Sequence, residues 1–235
     1  LTIYEIVTNI FLGEKNFEAL VRNVLDKQVK ENVIYNEIFL GPHLWSDRPN
    51  DRWERFLNIS SKVADEYEKK YGIYTYFIIV CIRHLGPEKA LEASRFASNS
   101  TNKNVVGFGM AGDETKFNTL DFMRSFDFAK QSGLGTTTHA GEICGAKSVE
   151  EAIKLGVTRV GHGVRSCESK ETIINLLKEN ILLEVCPGSN IALGLYSSLD
   201  DHPINFLLNK DVPVSISTDD PPFFSTSLSK EYQNL

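Results

Sequence analysis

From Val33 onward, short apolar runs alternate with longer segments in which apolar residues recur every three or four positions. Short runs rich in β-branched and aromatic residues predict strands, and the longer period predicts amphipathic helices. This alternation is typical of repeated βα units on a parallel sheet. The pattern predicts seven strands, at residues 33–41, 73–82, 105–110, 136–139, 158–162, 181–186 and 212–218.

Helix signals occur before and between these strands. An amphipathic stretch from about Phe17 to Glu31 predicts a helix ahead of the first strand. Ser148, with Glu151 three residues later, predicts a capping box at the start of a helix that ends at Gly156. Ser169 is placed to cap the next helix.

The pattern predicts an α/β fold of the TIM type. A (β/α)8 barrel has eight strands and about 250 residues, whereas only seven strands appear here, the last close to the C-terminus. We therefore expect an incomplete (β/α)8 barrel that forms a single domain over residues 1–235, since no linker or low-complexity segment interrupts the rhythm. An open doubly wound sheet is the alternative, because periodicity does not reveal closure.

Composition narrows the possible partners. The net charge of -6 provides no basic field for a polyphosphate backbone, which argues against nucleic acid and leaves a small neutral substrate compatible. The four cysteines lie far apart without a C-x-x-C pair and are expected to be reduced thiols. No apolar run is long enough for a membrane span and no secretory signal pattern is present, so we expect a cytoplasmic protein.

Polar, chemically capable residues follow five successive strands. The segments are AGDE at 111–114, HAGE at 139–142, GHG at 161–163, CPGSN at 186–190 and TDDP at 218–221. In parallel barrels the carboxyl ends of the strands form the active face, so these segments are predicted to share one mouth. Each is weak evidence alone, because a strand-end histidine is often structural and Asp before Pro often starts a turn. His43, His84 and His202 lack a carboxylate in metal-ligand register and are expected to be structural.

Taken in order, these five segments resemble the adenosine deaminase family of the metal-dependent amidohydrolase barrels. The resemblance extends from Ile34 to Phe224, and FGMAGDE is similar to bacterial members in particular. It implies zinc-dependent hydrolytic deamination of adenosine, or also 2′-deoxyadenosine, to inosine and ammonia. Deamination of adenine or another adenine derivative is the close alternative, and a non-catalytic barrel that binds nucleosides is a third.

The resemblance also implies roles for individual residues. His139 and Asp219 match zinc ligands, and Glu142 matches the proton donor to purine N1. His162 matches the group that orients and deprotonates the attacking water. Zinc lowers the pKa of a bound water from 15.7 to about 7, and Glu142 can donate a proton only if burial raises its pKa toward neutrality.

Two further residues correspond to substrate contacts. The backbone N–H of Gly112 matches a donor to purine N3, and Asp220 matches the residue that hydrogen-bonds N7. The family carries two more zinc ligands in an H-x-H pair on its first strand, and this sequence contains no H-x-H. We therefore expect a partial barrel with a half-built site. The third predicted strand is not followed by the metal-bridging lysine of many wider relatives, which favours one metal ion over two.

Overall fold

A computed structural model describes residues 6–8, 10, 11, 13–46 and 49–235. All seven predicted strands are present, and they form one parallel sheet in sequence order. They are β1 Tyr35–Leu40, β2 Tyr74–Ile82, β3 Val105–Ala111, β4 Gly135–Ala140, β5 Arg159–His162, β6 Leu182–Val185 and β7 Val214–Ile216. The sequence pattern therefore located every strand to within a few residues.

Helices alternate with the strands. They are α1 Glu14–Lys30, α2 Asp51–Tyr71, α3 Pro87–Asn99, α4 Met123–Gln131, α5 Ala146–Leu155, α6 Lys170–Lys178, α7 Pro187–Ala192, α8 Ile204–Asn209, α9 Pro221–Phe224 and α10 Leu228–Gln233. Short 3-10 turns follow at Pro42–Leu44, Arg83–Leu85, Thr119–Phe122 and Val164–Glu168. The predicted helix ahead of the first strand is α1. Within the described part of the chain, no helix is both long and apolar enough to span a bilayer.

Two of the three predicted helix-end signals are confirmed. The Ser169 hydroxyl accepts from the backbone N–H of Thr172 and caps α6, and Gly156 ends α5 in the left-handed conformation. The prediction of a capping box at Ser148 was wrong, because α5 already begins at Ala146 with Gly145 as its N-cap. The Ser148 hydroxyl instead donates to the buried carboxylate of Glu114, a tertiary partner that local sequence cannot reveal.

An ion pair across the interior shows that the sheet curls. Arg159 on β5 donates to Glu37 on β1 at 2.6 Å, and the same nitrogen lies 3.2 Å from Glu184 on β6. In a flat sheet β1 and β5 would be four strand spacings apart, roughly 19 Å. The contact excludes the open-sheet alternative. The chain forms an incomplete (β/α)8 barrel, in which β1 pairs with β2 and β7 with β6 among the described strands.

The core is a continuous apolar layer to which both helices and strands contribute. Trp53, Phe56 and Leu57 of α2 are fully buried, as are Phe77 and Phe108 on the strands. Burying each such side chain contributes about 1.5–3 kcal/mol. This layer fixes the strands, and with them the residues at their carboxyl ends. All four cysteines are free thiols, as predicted.

Candidate active site

The structure brings the predicted site residues to the carboxyl ends of neighbouring strands. His139 lies near the end of β4 and His162 is the last residue of β5. Asp219 follows the end of β7, and Gly112 comes directly after β3. The barrel therefore gathers on one face residues that are up to 107 positions apart along the sequence, the separation of Gly112 and Asp219.

His139 presents an unsatisfied nitrogen at this face. Its Nδ1 is buried and has no hydrogen-bond partner among the described residues. A Cβ at position 161 would lie 3.0 Å from that nitrogen, so Gly161 leaves room for the ring. Desolvation lowers the pKa of His139 and keeps the imidazole neutral, the form that binds a metal.

His162 packs against His139 and faces both candidate acids. The two ring centroids are 4.9 Å apart with an interplanar angle of 73°. The Nδ1 of His162 lies 3.6 Å from Glu142 Oε1, and its Nε2 lies 3.9 Å from Asp219 Oδ2. Burial is the main cause that lowers the pKa of His162 well below its usual value, and the adjacent ring of His139, with which it cannot share a second positive charge, adds to the effect. The ring is therefore neutral.

Two residues of the site hold left-handed backbone conformations. The φ angles are 61° at His162 and 57° at Asp219. Such conformations cost about 1–3 kcal/mol in residues with a Cβ and concentrate at functional sites. Both strained residues are ones for which the sequence predicts a catalytic or metal-binding role.

Glu142 has the acid strength that proton donation near neutral pH requires. Burial raises the pKa of its carboxyl to about 7, and the negative charges of Asp219 and Glu114 add to the effect. At neutral pH the protonated and the ionised forms of this carboxyl are therefore both accessible. The sequence analysis predicts that Glu142 can act as a proton donor only if its pKa is raised toward neutrality. The enclosed position of the side chain is the physical cause of the raised pKa.

Glu114 holds the loop that carries Glu142, a role that sequence reasoning missed. Its buried carboxylate accepts from the backbone N–H groups of residues 141, 142, 143 and 144 at 2.5, 3.2, 2.7 and 2.9 Å. The Ser148 hydroxyl donates to it at 2.8 Å. Glu114 belongs to the AGDE segment, and its position just after a strand was the only feature of the sequence that could have indicated this role. Hydrogen bonds to an ionised acceptor contribute about 1.5–3 kcal/mol each, so the loop is firmly anchored.

Arg83 supports the neighbouring strand end in a similar way. Its guanidinium group is almost fully buried and donates to the backbone carbonyl of His139 at 3.0 Å and to the Thr119 hydroxyl at 3.3 Å. Nothing in the local sequence marked Arg83, because its partner lies 56 positions away.

Asp219 is the centre of a possible metal site. One ligand atom each from Asp219, His162 and Cys186 lies within 4.8 Å of the others, and no further group of this kind occurs among the described residues. The predicted ligand His139 is outside this compact group, although its ring contacts His162. Burial raises the pKa of the Cys186 thiol well above its usual value, which makes it a weak ligand. The Ser189 hydroxyl donates to Asp219 Oδ2 at 2.7 Å and orients it.

The two predicted substrate contacts follow different strands, Gly112 after β3 and Asp220 after β7. Gly112 has a φ of 100°, and a Cβ there would lie 3.1 Å from His84 Nδ1 and 3.3 Å from the backbone nitrogen of Arg83. Only glycine fits this conformation and space. Asp220 is half-buried beside Asp219 and starts the short helix α9.

The structure combines an incomplete (β/α)8 barrel with a buried acid, Glu142, near the carboxyl ends of its strands, and the comparisons with known proteins show which class of protein this is. The sequence model described as "Adenosine deaminase" matches residues 1–235, and the chain belongs to that family. It is 39% identical over 230 residues to an adenine deaminase of Agrobacterium fabrum, covering 97% of this chain and 70% of that protein.

Two solved structures have the same fold. An adenine deaminase from Arthrobacter aurescens is 27% identical, with a TM-score of 0.86 over 94% of this chain and 67% of that one. The ADAL–IMP complex is 25% identical, with a TM-score of 0.87 over 99% of this chain and 69% of that one. The chain is accordingly a purine-deaminase barrel of the amidohydrolase superfamily.

Proposed function

We propose that the chain belongs to an enzyme that hydrolyses the 6-amino group of adenine, releasing ammonia and leaving hypoxanthine. The observation that carries the proposal is the enclosed carboxyl of Glu142, with a pKa of about 7, beside His162 at 3.6 Å. The similarity to adenine deaminases at 39% and 27% identity supports the base as substrate.

Zinc is the proposed metal. The buried, unpartnered Nδ1 of His139 and the carboxylate of Asp219 are donors of the types that zinc prefers, and they fit such an ion. His139 and Asp219 would hold one zinc ion as ligands. When bound, the ion would supply the acidity that converts water to a nucleophile near neutral pH.

The chain's own residues would provide the remaining chemistry. Protonated Glu142 would donate its proton to ring nitrogen N1, which draws electrons away from C6 as water adds there. His162 would contact the attacking water and fix its direction. The N–H of Gly112 and the carboxyl of Asp220 would hold N3 and N7, so that the ring lies in one orientation.

Adenosine is the second candidate substrate. The order of the strand-end segments favours the nucleoside, and so does the family model that matches the whole chain. The fold similarity to a protein whose structure was solved in complex with IMP supports a ribosylated purine as substrate. Deamination of adenosine would yield inosine and ammonia.

The test compares adenine, adenosine and adenosine monophosphate with the zinc-loaded chain, followed by purine absorbance. We expect the highest kcat/KM on adenine, and a Glu142→Gln variant that retains zinc but loses turnover. A higher kcat/KM on adenosine would reverse the order of the two candidates. If the zinc-loaded chain bound purines without consuming any of the three, it would be a non-catalytic barrel and the proposal would be overturned.

A further inference from the structure

A chain of hydrogen bonds runs from the backbone at the start of α8 into the candidate site. The backbone N–H of Ile204 lies 3.2 Å from His202 Nδ1. His202 Nε2 lies 3.2 Å from Asn190 Oδ1, and Asn190 Nδ2 lies 3.4 Å from His162 Nδ1. His202 and Asn190 are almost fully buried, at 3% and 0% exposure, so water does not compete for these bonds.

The donor and the acceptor of each hydrogen bond in this chain can be assigned by starting from the backbone N–H of Ile204. A backbone N–H can only donate, so Nδ1 of His202 must be the unprotonated nitrogen. The neutral ring then carries its proton on Nε2 and donates to the carbonyl oxygen of Asn190. That contact orients the amide, and its NH2 group must point toward His162.

We infer that His202 and Asn190 together fix the tautomer of His162, with the proton on Nε2. Asn190 Nδ2 also lies 3.5 Å from Glu142 Oε1, so its two hydrogens serve the two groups that flank the proposed reaction centre. With Nδ1 accepting from Asn190, neutral His162 presents an N–H toward Asp219 rather than a lone pair. His202 and Asn190 are positioning residues that act through His162.

The inference rests on the proposed function and changes the role of His162 within it. An Nε2–H group at this point donates a hydrogen bond to the attacking oxygen and orients it. It cannot accept the proton from that oxygen, because the nitrogen has no free lone pair. That proton would pass instead to the Glu142 carboxylate, which is ionised once it has protonated N1, and from there to the departing amino group. The resemblance had assigned both orientation and deprotonation to this residue, and the hydrogen-bond chain retains only the first.

Nitrogen NMR of the ¹⁵N-histidine-labelled chain tests the tautomer without any assay of activity. Only five histidines need assignment. We expect His162 to show a protonated Nε2 and an unprotonated Nδ1, with and without zinc. A protonated Nδ1 in the unmodified chain would overturn the inference, whatever the enzyme's substrate.

Two variants test the origin of the preference. Asn190→Leu removes the donor to His162, and His202→Phe frees the Asn190 amide to rotate. In both we expect a mixture of His162 tautomers, and a KM that changes less than kcat. Asn209→Leu, at an exposed position, should leave the His162 spectrum unchanged.

An unchanged His162 spectrum in folded His202→Phe would show that His202 does not act in this way. If either variant fails to fold, the spectrum of the unmodified chain still decides the tautomer. Loss of the proposed deaminase activity in every form, with the predicted tautomer retained, would count against the function and not against the hydrogen-bond chain.

Discussion

The buried carboxylate of Glu114 accepts a hydrogen bond from the backbone N–H of Glu142 at 3.2 Å, so one acid holds the loop that carries another. The same carboxylate also adds negative charge that raises the pKa of Glu142. Glu114, 28 positions earlier in the sequence, therefore helps to set both the position and the acidity of the proposed proton donor, and burial is the larger cause of the raised pKa.

Glu114→Gln is expected to weaken this support. An amide replaces one acceptor oxygen with an NH2 group that faces backbone donors, so the loop loses at least one hydrogen bond and gains a repulsive contact. We expect a loss of about 1–3 kcal/mol in the free energy of unfolding, measured by urea denaturation, and a lower kcat. Asp113→Asn is the matched control, because among the described residues the Asp113 side chain accepts hydrogen bonds only from Thr115. Equal stability of the two variants would contradict the anchoring role.

Glu142→Gln is expected to stabilise the metal-free protein at alkaline pH. The folded-state pKa of Glu142 is about 7 against an ordinary value of 4.5, so the folded protein holds this proton more tightly than the unfolded chain. Above pH 7 the ionised, buried carboxylate costs up to about 3 kcal/mol. That cost disappears as the pH falls from 7 to 4.5.

Unfolding of chelator-treated protein should therefore show Glu142→Gln to be more stable than the parent at pH 8, with the difference shrinking toward pH 4.5. The exposed residue Glu88 provides the control, and Glu88→Gln should change stability by less than about 0.5 kcal/mol at either pH. A Glu142→Gln variant that is less stable at pH 8 would contradict the enclosed position of this carboxyl.

Loss of the ion pair between Arg159 and Glu37 is expected to loosen the barrel. Arg159→Met leaves Glu37 and Glu184 as neighbouring like charges in a partly buried interior. We expect a loss of about 1–3 kcal/mol in the free energy of unfolding, less than for a fully buried pair. Lys178→Ala is the control, because its pair with Glu179 is exposed. A change in Arg159→Met no larger than in the control would show that the pair does not stabilise the curled sheet.

Asp219→Ala is expected to weaken zinc binding more than tenfold, because it removes a carboxylate ligand. Ser189→Ala should weaken it by about tenfold, since the hydroxyl orients Asp219 at 2.7 Å. Asp220→Asn should retain zinc and lose affinity for the purine. Zinc titration with a competing chelator measures the zinc affinity of all three variants, and calorimetric titration with adenine measures the purine affinity of Asp220→Asn. Equal zinc content in Asp219→Ala would refute the ligand assignment.

The sequence by itself determined most of the secondary structure and predicted which residues lie at the candidate active face. Periodicity and turn residues are local, so they located the seven strands, the α1 helix and the caps at Gly156 and Ser169. Position at or just after a strand end, together with the family resemblance, singled out His139, Glu142, His162 and Asp219, because every parallel strand delivers its carboxyl end to the same face.

Only the tertiary structure decided how these residues are supported. Arg159 meets Glu37 across 122 positions because the sheet curls, and alternation of strands and helices does not fix curvature. Ser148 leaves its predicted capping role because a buried carboxylate from another strand end is nearby. His202, expected to be structural, approaches the site through Asn190. These contacts depend on side-chain hydrogen bonds between distant segments, whose distances are set by packing of the whole barrel and not by any local pattern.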